Sequence, residues 1–259
     1  MSYKRVVVKV GTSSLTHPNG KTNIKRIKKL IQVLSDIANS GVEICFVSSG
    51  AIGVGVGKLG LKERPTDTPS RQAASSIGQC ELMFMYDKFF SEYNHNVAQL
   101  LITKSDVEND ERRQNLINTF NKLFEFGAIP VVNENDSIAV EEIVYGDNDN
   151  LSAIVAKLID ADLLVMLTDA DGLFDKNPNE FDDARLIEKV EEIDEKIISI
   201  ASPHGSFLGT GGMATKVQAA KIATEAGIDT VVMNGSDPEK LYDLLEGKNT
   251  GTVFKAVKK

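Results

Sequence analysis

Short β-branched runs that alternate with helix-length amphipathic segments are the feature that most limits the folds open to this chain. The stretch KRVVVKV (4–10) precedes a helical pattern over 24–38, and VEICFV (42–47) follows it. Further strand-like runs are NVAQLLIT (96–103), AIPVVNEND (128–136), DLLVMLTDADG (162–172) and DTVVMNG (229–235). Continuous apolar strands between helices are typical of parallel sheets covered on both faces. We therefore predict an α/β fold, a three-layer αβα sandwich with a mostly parallel central sheet.

The first helical pattern illustrates how the faces are predicted. Ile24, Ile27, Ile31, Leu34 and Ala38 recur at helical spacing and are expected to form one buried face, with a C-cap at the glycine in position 41. No repeat, linker or low-complexity tract interrupts the alternation. A single domain over residues 1–259 is therefore expected.

Bulk composition narrows the function classes. The 259 residues carry a net charge of −8, with 42% hydrophobic and 25% charged residues, which is ordinary for a soluble globular protein. The acidic balance argues against nucleic acid or an anionic membrane as a partner. Neither a signal-peptide pattern nor a bilayer-length apolar run is visible, and Cys45 and Cys80 have no metal-ligand spacing. A cytoplasmic protein with free thiols is expected.

Polar residues follow four of the predicted strands. These strand exits are Gly11, Ser48–Gly50, Asn133–Asp136 and Thr168–Asp169. Because ligands in open α/β sheets bind at the carboxyl ends of the strands, the four exits are candidate site segments.

Stretches of this chain resemble several familiar sequence motifs but lack the residues or the context that their function requires. Gly55–Gly60 spells GxGxxG, but it starts eight residues after the strand ends at Val47, so a dinucleotide site is disfavoured and a flexible glycine loop over a ligand is expected instead. A Walker A motif fails because Leu15 and Ile52 stand where its first glycine is required. The three histidines are isolated, and neither GxSxG nor HExxH occurs.

Two lysines lie beside glycine turns at opposite ends of the chain. Lys9 sits in an apolar strand just before Gly11, and Lys216 follows the glycine-rich run GTGG (209–212) at the start of a predicted helix. Backbone N–H groups, the helix dipole and a lysine together favour an anion such as a phosphate. A strand-end lysine reaching solvent and a plain flexible loop remain the alternatives.

The stretch GDNDN (146–150) opens another predicted helix. Either Asn148 or Asp149 could cap that helix, but a cap accounts for one polar residue and not for four. A carboxylate near the lysines could keep them charged and oriented, and Asp136 could receive an ammonium group.

Six stretches together resemble one family along nearly the whole chain. They are VVVKVGTSSLT (6–16), VSSGAI (47–52), PVVNENDSIAVEEI (130–143), VYGDNDNLSA (144–153), MLTDADGLF (166–174) and GTGGMATK (209–216). In order and content they resemble the glutamate 5-kinase family of the amino acid kinase superfamily. The resemblance implies the amino acid kinase fold and an enzyme that uses ATP to phosphorylate the side-chain carboxylate of L-glutamate, the first step of proline biosynthesis.

The resemblance also implies roles for individual residues. Lys9, Lys216 and Asp149 would be catalytic, and Ser49, Asp136 and Asn148 would bind the substrate. The nucleotide site would comprise Lys9, Gly11, Thr168, Asp169, Thr210, Gly211, Gly212, Met213, Ala214, Thr215 and Lys216. Mg²⁺ would be held mainly by the ATP phosphates and not by a protein metal site. Asp147 and Asn150 receive no functional role and are expected to form part of the turn or to cap the helix.

Partners and alternatives complete the expectations. The family implies proline as a possible feedback inhibitor, a glutamyl-phosphate reductase as a possible next enzyme, and a homo-oligomer. Many members carry a C-terminal PUA domain, which is expected to be absent here. The rival hypotheses are a related kinase for acetylglutamate, aspartate, carbamate or UMP, and a non-catalytic amino-acid or nucleotide sensor.

Overall fold

The structure is a computed structural model that describes residues 3–17, 21–138, 148–202 and 212–257. Within these residues the strands are β1 (Arg5–Val10), β2 (Glu43–Val47), β3 (Val97–Ile102), β4 (Ile129–Glu134), β5 (Leu163–Thr168), β6 (Lys189–Val190), β7 (Asp229–Asn234) and β8 (Gly251–Phe254). The helices are α1 (Thr12–Leu15), α2 (Ile24–Asn39), α3 (Ala51–Leu59), α4 (Thr68–Ser91), α5 (Lys104–Glu108), α6 (Asp110–Glu125), α7 (Asn148–Leu158), α8 (Glu195–Ala201), α9 (Met213–Glu225) and α10 (Lys240–Leu245).

The strands belong to one mostly parallel eight-stranded sheet flanked by helices, which confirms the predicted fold class. The chain divides into a first unit, Met1–Lys9 with Tyr145–Lys259, and a second unit, Val10–Val144. In the second unit β4 pairs in parallel with both β2 and β3. In the first unit β5 pairs in parallel with β7, and β8 runs antiparallel to β7. The expectation of a single domain stays a prediction.

Helix α2 shows where the predicted helix face was wrong. Its buried side includes Ile27, Ile31 and Leu34 as expected, but Ile24 is 59% exposed. The helix begins at Ile24, directly after Asn23 caps it by accepting a hydrogen bond from the Arg26 N–H. Because the first residue lies at the end of the packed stripe, the core is completed by other positions, namely Leu30, Val33 and Ile37.

The GxGxxG stretch is not the flexible loop that the sequence suggested. Residues up to Leu59 form helix α3, which packs against α4. A Cβ atom on Gly55 would lie 1.8 Å from the Ala74 carbonyl oxygen, and one on Gly78 would lie 1.8 Å from the Ala51 carbonyl oxygen. Gly55 and Gly78 therefore allow the backbones of α3 and α4 to approach closely.

In the second unit, the exits of β2 and β4 lie side by side. Phe46 and Val47 pair with Val131 and Val132, and the Ser48 N–H donates to the Val132 carbonyl oxygen at 2.8 Å. Residues 139–147, which follow this region, lie outside the described residues.

Candidate active site

A fully buried carboxylate with two lysines is the most strongly charged feature of the first unit's interior. The Lys9 ammonium lies 2.6 Å from Asp149 Oδ1, and the Lys216 ammonium lies 3.1 Å from Asp149 Oδ2. Asp149 is 0% exposed, while Lys9 and Lys216 are 2% and 6% exposed. Buried charges of this kind are costly unless they are paired, so their retention indicates a task beyond packing.

Three separate elements bring these side chains together. Lys9 is held by the apolar strand β1, Asp149 lies in the first turn of α7, and Lys216 lies in the first turn of α9. Helix α7 packs on α9 and on β5, and its apolar residues Leu151 and Val155 are buried. The strand and the two helix starts therefore place the three charges at one point.

The electrostatics of the site keep Asp149 ionised. Burial raises the pKa of its carboxyl, but the ammonium groups of Lys9 and Lys216 outweigh that effect and lower the pKa to about 2. At neutral pH the three groups carry two positive charges and one negative charge. The net positive charge suits a phosphate anion.

Thr215 adds a neutral hydrogen bond to the same carboxylate. Its Oγ1 lies 2.9 Å from Asp149 Oδ2 and 2.8 Å from the Gly212 carbonyl oxygen, and the hydroxyl can donate to either. The expectation for Thr215 was a place in the nucleotide site; its contact with Asp149 was missed, because no spacing rule links positions 66 residues apart.

The remaining nucleotide-site candidates are located as follows. Thr168 ends β5 and donates from Oγ1 to Asp169 Oδ1 at 3.1 Å, while Asn234 at the end of β7 donates to the Asp169 carbonyl oxygen at 3.2 Å.

The other candidates lie near helix starts or outside the described residues. Gly212 precedes helix α9, and Met213 and Ala214 are the first two residues of that helix. Gly11 lies in the second unit and precedes α1. The two candidates Thr210 and Gly211 lie outside the described residues, as does Asp147.

The substrate-site candidates Ser49 and Asp136 belong to the second unit. Ser49 is buried just after β2, and Asp136 follows β4, where its Oδ2 accepts a 2.7 Å hydrogen bond from Ser75 Oγ. The third candidate, Asn148, is half-buried at the start of α7 in the first unit. Asn150 is buried two positions further along the same helix.

Helix α4 supplies polar contacts that the sequence reading missed. Ser75 bonds Asp136, Gln79 accepts a 2.8 Å hydrogen bond from Asn133, and Tyr86 lies 2.7 Å from Ser48 Oγ through its hydroxyl. These three residues are spaced by four and seven positions, which places them on one helix face. That polar row along an otherwise apolar face was the available signal.

The described residues contain neither a metal-binding cluster nor a membrane-spanning helix. Among the described residues, no cluster of three or more His, Cys, Asp or Glu groups could hold a metal ion. Both Asp149 oxygens already face ammonium groups. In the same part of the chain, every helix is too short or too polar to span a membrane.

Comparison with protein families decides the broader class. Residues 4–234 match the model of the amino acid kinase family. The chain belongs to this family. The match covers β1, α7 and α9, and therefore includes all three residues of the buried charge cluster.

Within the amino acid kinase family, curated relatives are similar over nearly the whole chain. A glutamate 5-kinase of Clostridium perfringens is 52% identical over 259 residues, covering 98% of this chain and 96% of its own length. A glutamate 5-kinase of Caldanaerobacter subterraneus is 49% identical over 254 residues, covering 98% of this chain and 68% of its own length.

Solved structures of the family share the fold at low identity. A carbamate kinase from Giardia lamblia bound to AMP-PNP matches with a TM-score of 0.69 and 17% identity, over 98% of this chain and 99% of that one. A UMP kinase from Ureaplasma parvum matches with a TM-score of 0.65 and 16% identity, over 98% and 100% of the two chains. These likenesses show the amino acid kinase fold.

Proposed function

We propose that this chain is a glutamate 5-kinase, which transfers the γ-phosphoryl group of ATP to the side-chain carboxylate of L-glutamate and releases ADP. The observation that carries the proposal is the pair of buried ammonium groups on opposite oxygens of Asp149. The glutamate 5-kinases that are about half identical over nearly the whole chain support the choice of acceptor and the place in proline biosynthesis.

The proposed reaction needs charge stabilisation more than proton transfer. A carboxylate is already an anion at neutral pH, so the nucleophilic oxygen attacks the γ-phosphorus without a general base. The new P–O bond forms while the bond to the bridging oxygen breaks, and the electron pair leaves with ADP. Lys9 and Lys216 are proposed to stabilise the charge on the transferring group and the leaving oxygen.

Asp149 is proposed to orient the two lysines. A carboxylate with its pKa at about 2 stays ionised at any working pH and holds both ammonium groups in fixed positions. Positions set before the substrates bind avoid reorganisation during the reaction, which is the main source of electrostatic catalysis. Thr215 supports that arrangement through its contact with Asp149 Oδ2.

Substrate and nucleotide roles follow the same proposal. Asp136 would receive the ammonium group of glutamate, with Ser49 and Asn148 as further contacts. The residues Gly11, Thr168, Asp169 and Thr210–Lys216 would line the nucleotide site. Mg²⁺ would arrive with ATP and neutralise phosphate charge, held mainly by the phosphates themselves.

The biological setting belongs to the proposal as well. We expect a cytoplasmic homo-oligomer that proline inhibits. Its acyl phosphate product is labile in water, which favours rapid use by a glutamyl-phosphate reductase.

A substrate panel tests the proposed function directly. ADP release should be measured with ATP and each of L-glutamate, L-aspartate, N-acetylglutamate, carbamate and UMP, and the product trapped with hydroxylamine. We expect ADP and a hydroxamate with L-glutamate above all others. ADP release with another acceptor would reassign the substrate, and ligand binding without ADP release would favour the sensor hypothesis.

A further inference from the structure

The second unit contains a buried pair of amide side chains at the exit of β4. Asn133 ends the buried part of that strand and is 2% exposed, and Gln79 faces it from α4 at 7% exposed. Asn133 Nδ2 donates to Gln79 Oε1 at 2.8 Å. The mechanism proposed above makes no use of either residue.

The backbone determines which way both amides are turned. The Glu134 N–H donates to Asn133 Oδ1 at 2.9 Å, so that atom must be the oxygen. The amide nitrogen of Asn133 therefore points towards Gln79 and requires an acceptor there. Gln79 must present Oε1 to Asn133, and its Nε2 is left as a donor directed elsewhere.

The remaining donor, Gln79 Nε2, is buried. Among the described residues, Gln79 Nε2 has no hydrogen-bond partner. A buried donor left unpaired destabilises the fold, so an acceptor supplied by a bound molecule would remove that penalty. The amide nitrogen of Gln79 requires a hydrogen-bond acceptor from a ligand, which a cation cannot supply.

The neighbours of Gln79 indicate which molecule supplies the acceptor. Ser75, one helical turn earlier on the same face of α4, donates to Asp136, the proposed acceptor of the glutamate ammonium group. Side chains four positions apart on a helix are about 5–6 Å apart at Cβ. The ammonium and the α-carboxylate of an amino acid share one carbon atom, so groups that bind them must be near neighbours.

We propose that Gln79 Nε2 donates a hydrogen bond to the α-carboxylate of bound L-glutamate, which makes Gln79 a substrate-binding residue that selects α-amino acids. The inference rests on the proposed function and adds to it a specificity contact on α4. Asn133 then has a structural part, because it holds the Gln79 amide with the donor facing the ligand.

Gln79→Glu is the sharpest variant for a test. It keeps an oxygen to accept from Asn133 Nδ2 and replaces only the free donor by an acceptor that repels a carboxylate. We expect the KM for L-glutamate to rise about tenfold to a hundredfold, the range for losing a hydrogen bond to a charged group. The KM for ATP and kcat at saturating glutamate should change less than about threefold. Gln114→Glu, on the exposed face of α6, is the matched control and should leave all three constants unchanged.

Substrate truncation separates a contact from a folding effect. 4-Aminobutyrate is L-glutamate without the α-carboxylate, so its turnover should be insensitive to the lost donor. The ratio of kcat/KM for L-glutamate to that for 4-aminobutyrate should fall at least about tenfold in Gln79→Glu. If that variant does not fold, as judged from its thermal unfolding, Gln79→Met supplies the same ratio, since it also lacks the donor.

An unchanged ratio in a folded variant would overturn the role of Gln79 while leaving the kinase proposal intact. Failure of the wild-type protein to release ADP with L-glutamate would instead overturn the proposed function itself. The two failures are therefore distinguishable in one set of assays.

Discussion

Asp149 shows how a single residue can govern a whole site. It is fully buried, contacts two lysines and a threonine, and has its pKa lowered to about 2 despite its burial. A group whose pKa is lower in the folded state stabilises the fold above its unfolded pKa, and that contribution disappears as the pH falls through the folded value.

Acid should destabilise the protein through protonation of Asp149. Between about pH 4 and pH 2, protonation of Asp149 should remove about 2 kcal/mol of the free energy of unfolding, because its pKa moves from the ordinary 3.8 to about 2 on folding. The expected result is a smaller loss over this range in Asp149→Asn than in the wild type, measured by urea unfolding at each pH. Equal losses in both proteins would contradict the assignment of this pKa.

The same variant should also be less stable at neutral pH. Asp149→Asn removes the negative charge that both buried ammonium groups contact, and breaking a buried pair in this way costs about 3–5 kcal/mol. Asp160→Asn is the control: this exposed residue has φ of 49°, a conformation that asparagine also tolerates. Its free energy of unfolding should be close to that of the wild type.

The two lysines should affect turnover more than substrate binding. Lys9→Ala or Lys216→Ala should lower kcat about a hundredfold or more, because each removes a charge that we propose to stabilise the transferring phosphoryl group. Lys221→Ala, an exposed lysine on the same helix as Lys216, should retain wild-type kcat. Wild-type turnover in both site variants would exclude these roles.

At the level of elements, the contact between α3 and α4 depends on the absence of side chains. Gly55→Ala would place its Cβ 1.8 Å from a backbone oxygen of α4, so the helices must separate. We expect a loss of about 1–3 kcal/mol in the free energy of unfolding, measured by denaturant titration.

Gly53 in the same helix provides the control. Among the described residues, a Cβ there would meet only Thr12 Cγ2 at 3.7 Å, an ordinary contact. Gly53→Ala should therefore be neutral or stabilising by up to about 1 kcal/mol, the helix preference of alanine over glycine. If both variants were equally destabilised, helix flexibility and not the close approach would be responsible.

At the scale of the whole molecule, nucleotide binding should raise the thermal stability of the folded protein. A ligand that binds only the folded state at a hundred times its Kd adds about 2.7 kcal/mol, which for a protein of this size raises Tm by about 5–10 °C. AMP-PNP with Mg²⁺ should produce this shift in the wild type, as followed by calorimetry over a range of concentrations. Lys216→Ala should require more nucleotide for the same shift, and a Tm independent of nucleotide would contradict binding.

The strands and most helices could be predicted because their signals are local. The run VVVKV is β-branched whatever surrounds it, and β1 occupies Arg5–Val10 as expected from it. Local rules failed where packing between elements decided the outcome. Ile24 continues a helical stripe in sequence but is exposed, and the stretch around Gly55 resembles a loop but forms helix α3, with the backbone of α4 close to Gly55.

The sequence by itself determined the fold class and the positions of the polar strand exits, and its family motifs predicted Lys9, Asp149 and Lys216 as site residues. Only the tertiary structure decided that Lys9 and Lys216 contact opposite oxygens of one carboxylate, that Thr215 joins them, and that Gln79 keeps a buried donor unpaired. The physical reason is the separation along the chain over which each interaction acts. Strand and helix preferences act between near neighbours along the chain, whereas burial, pKa and hydrogen-bond satisfaction depend on groups that meet only after the chain has folded.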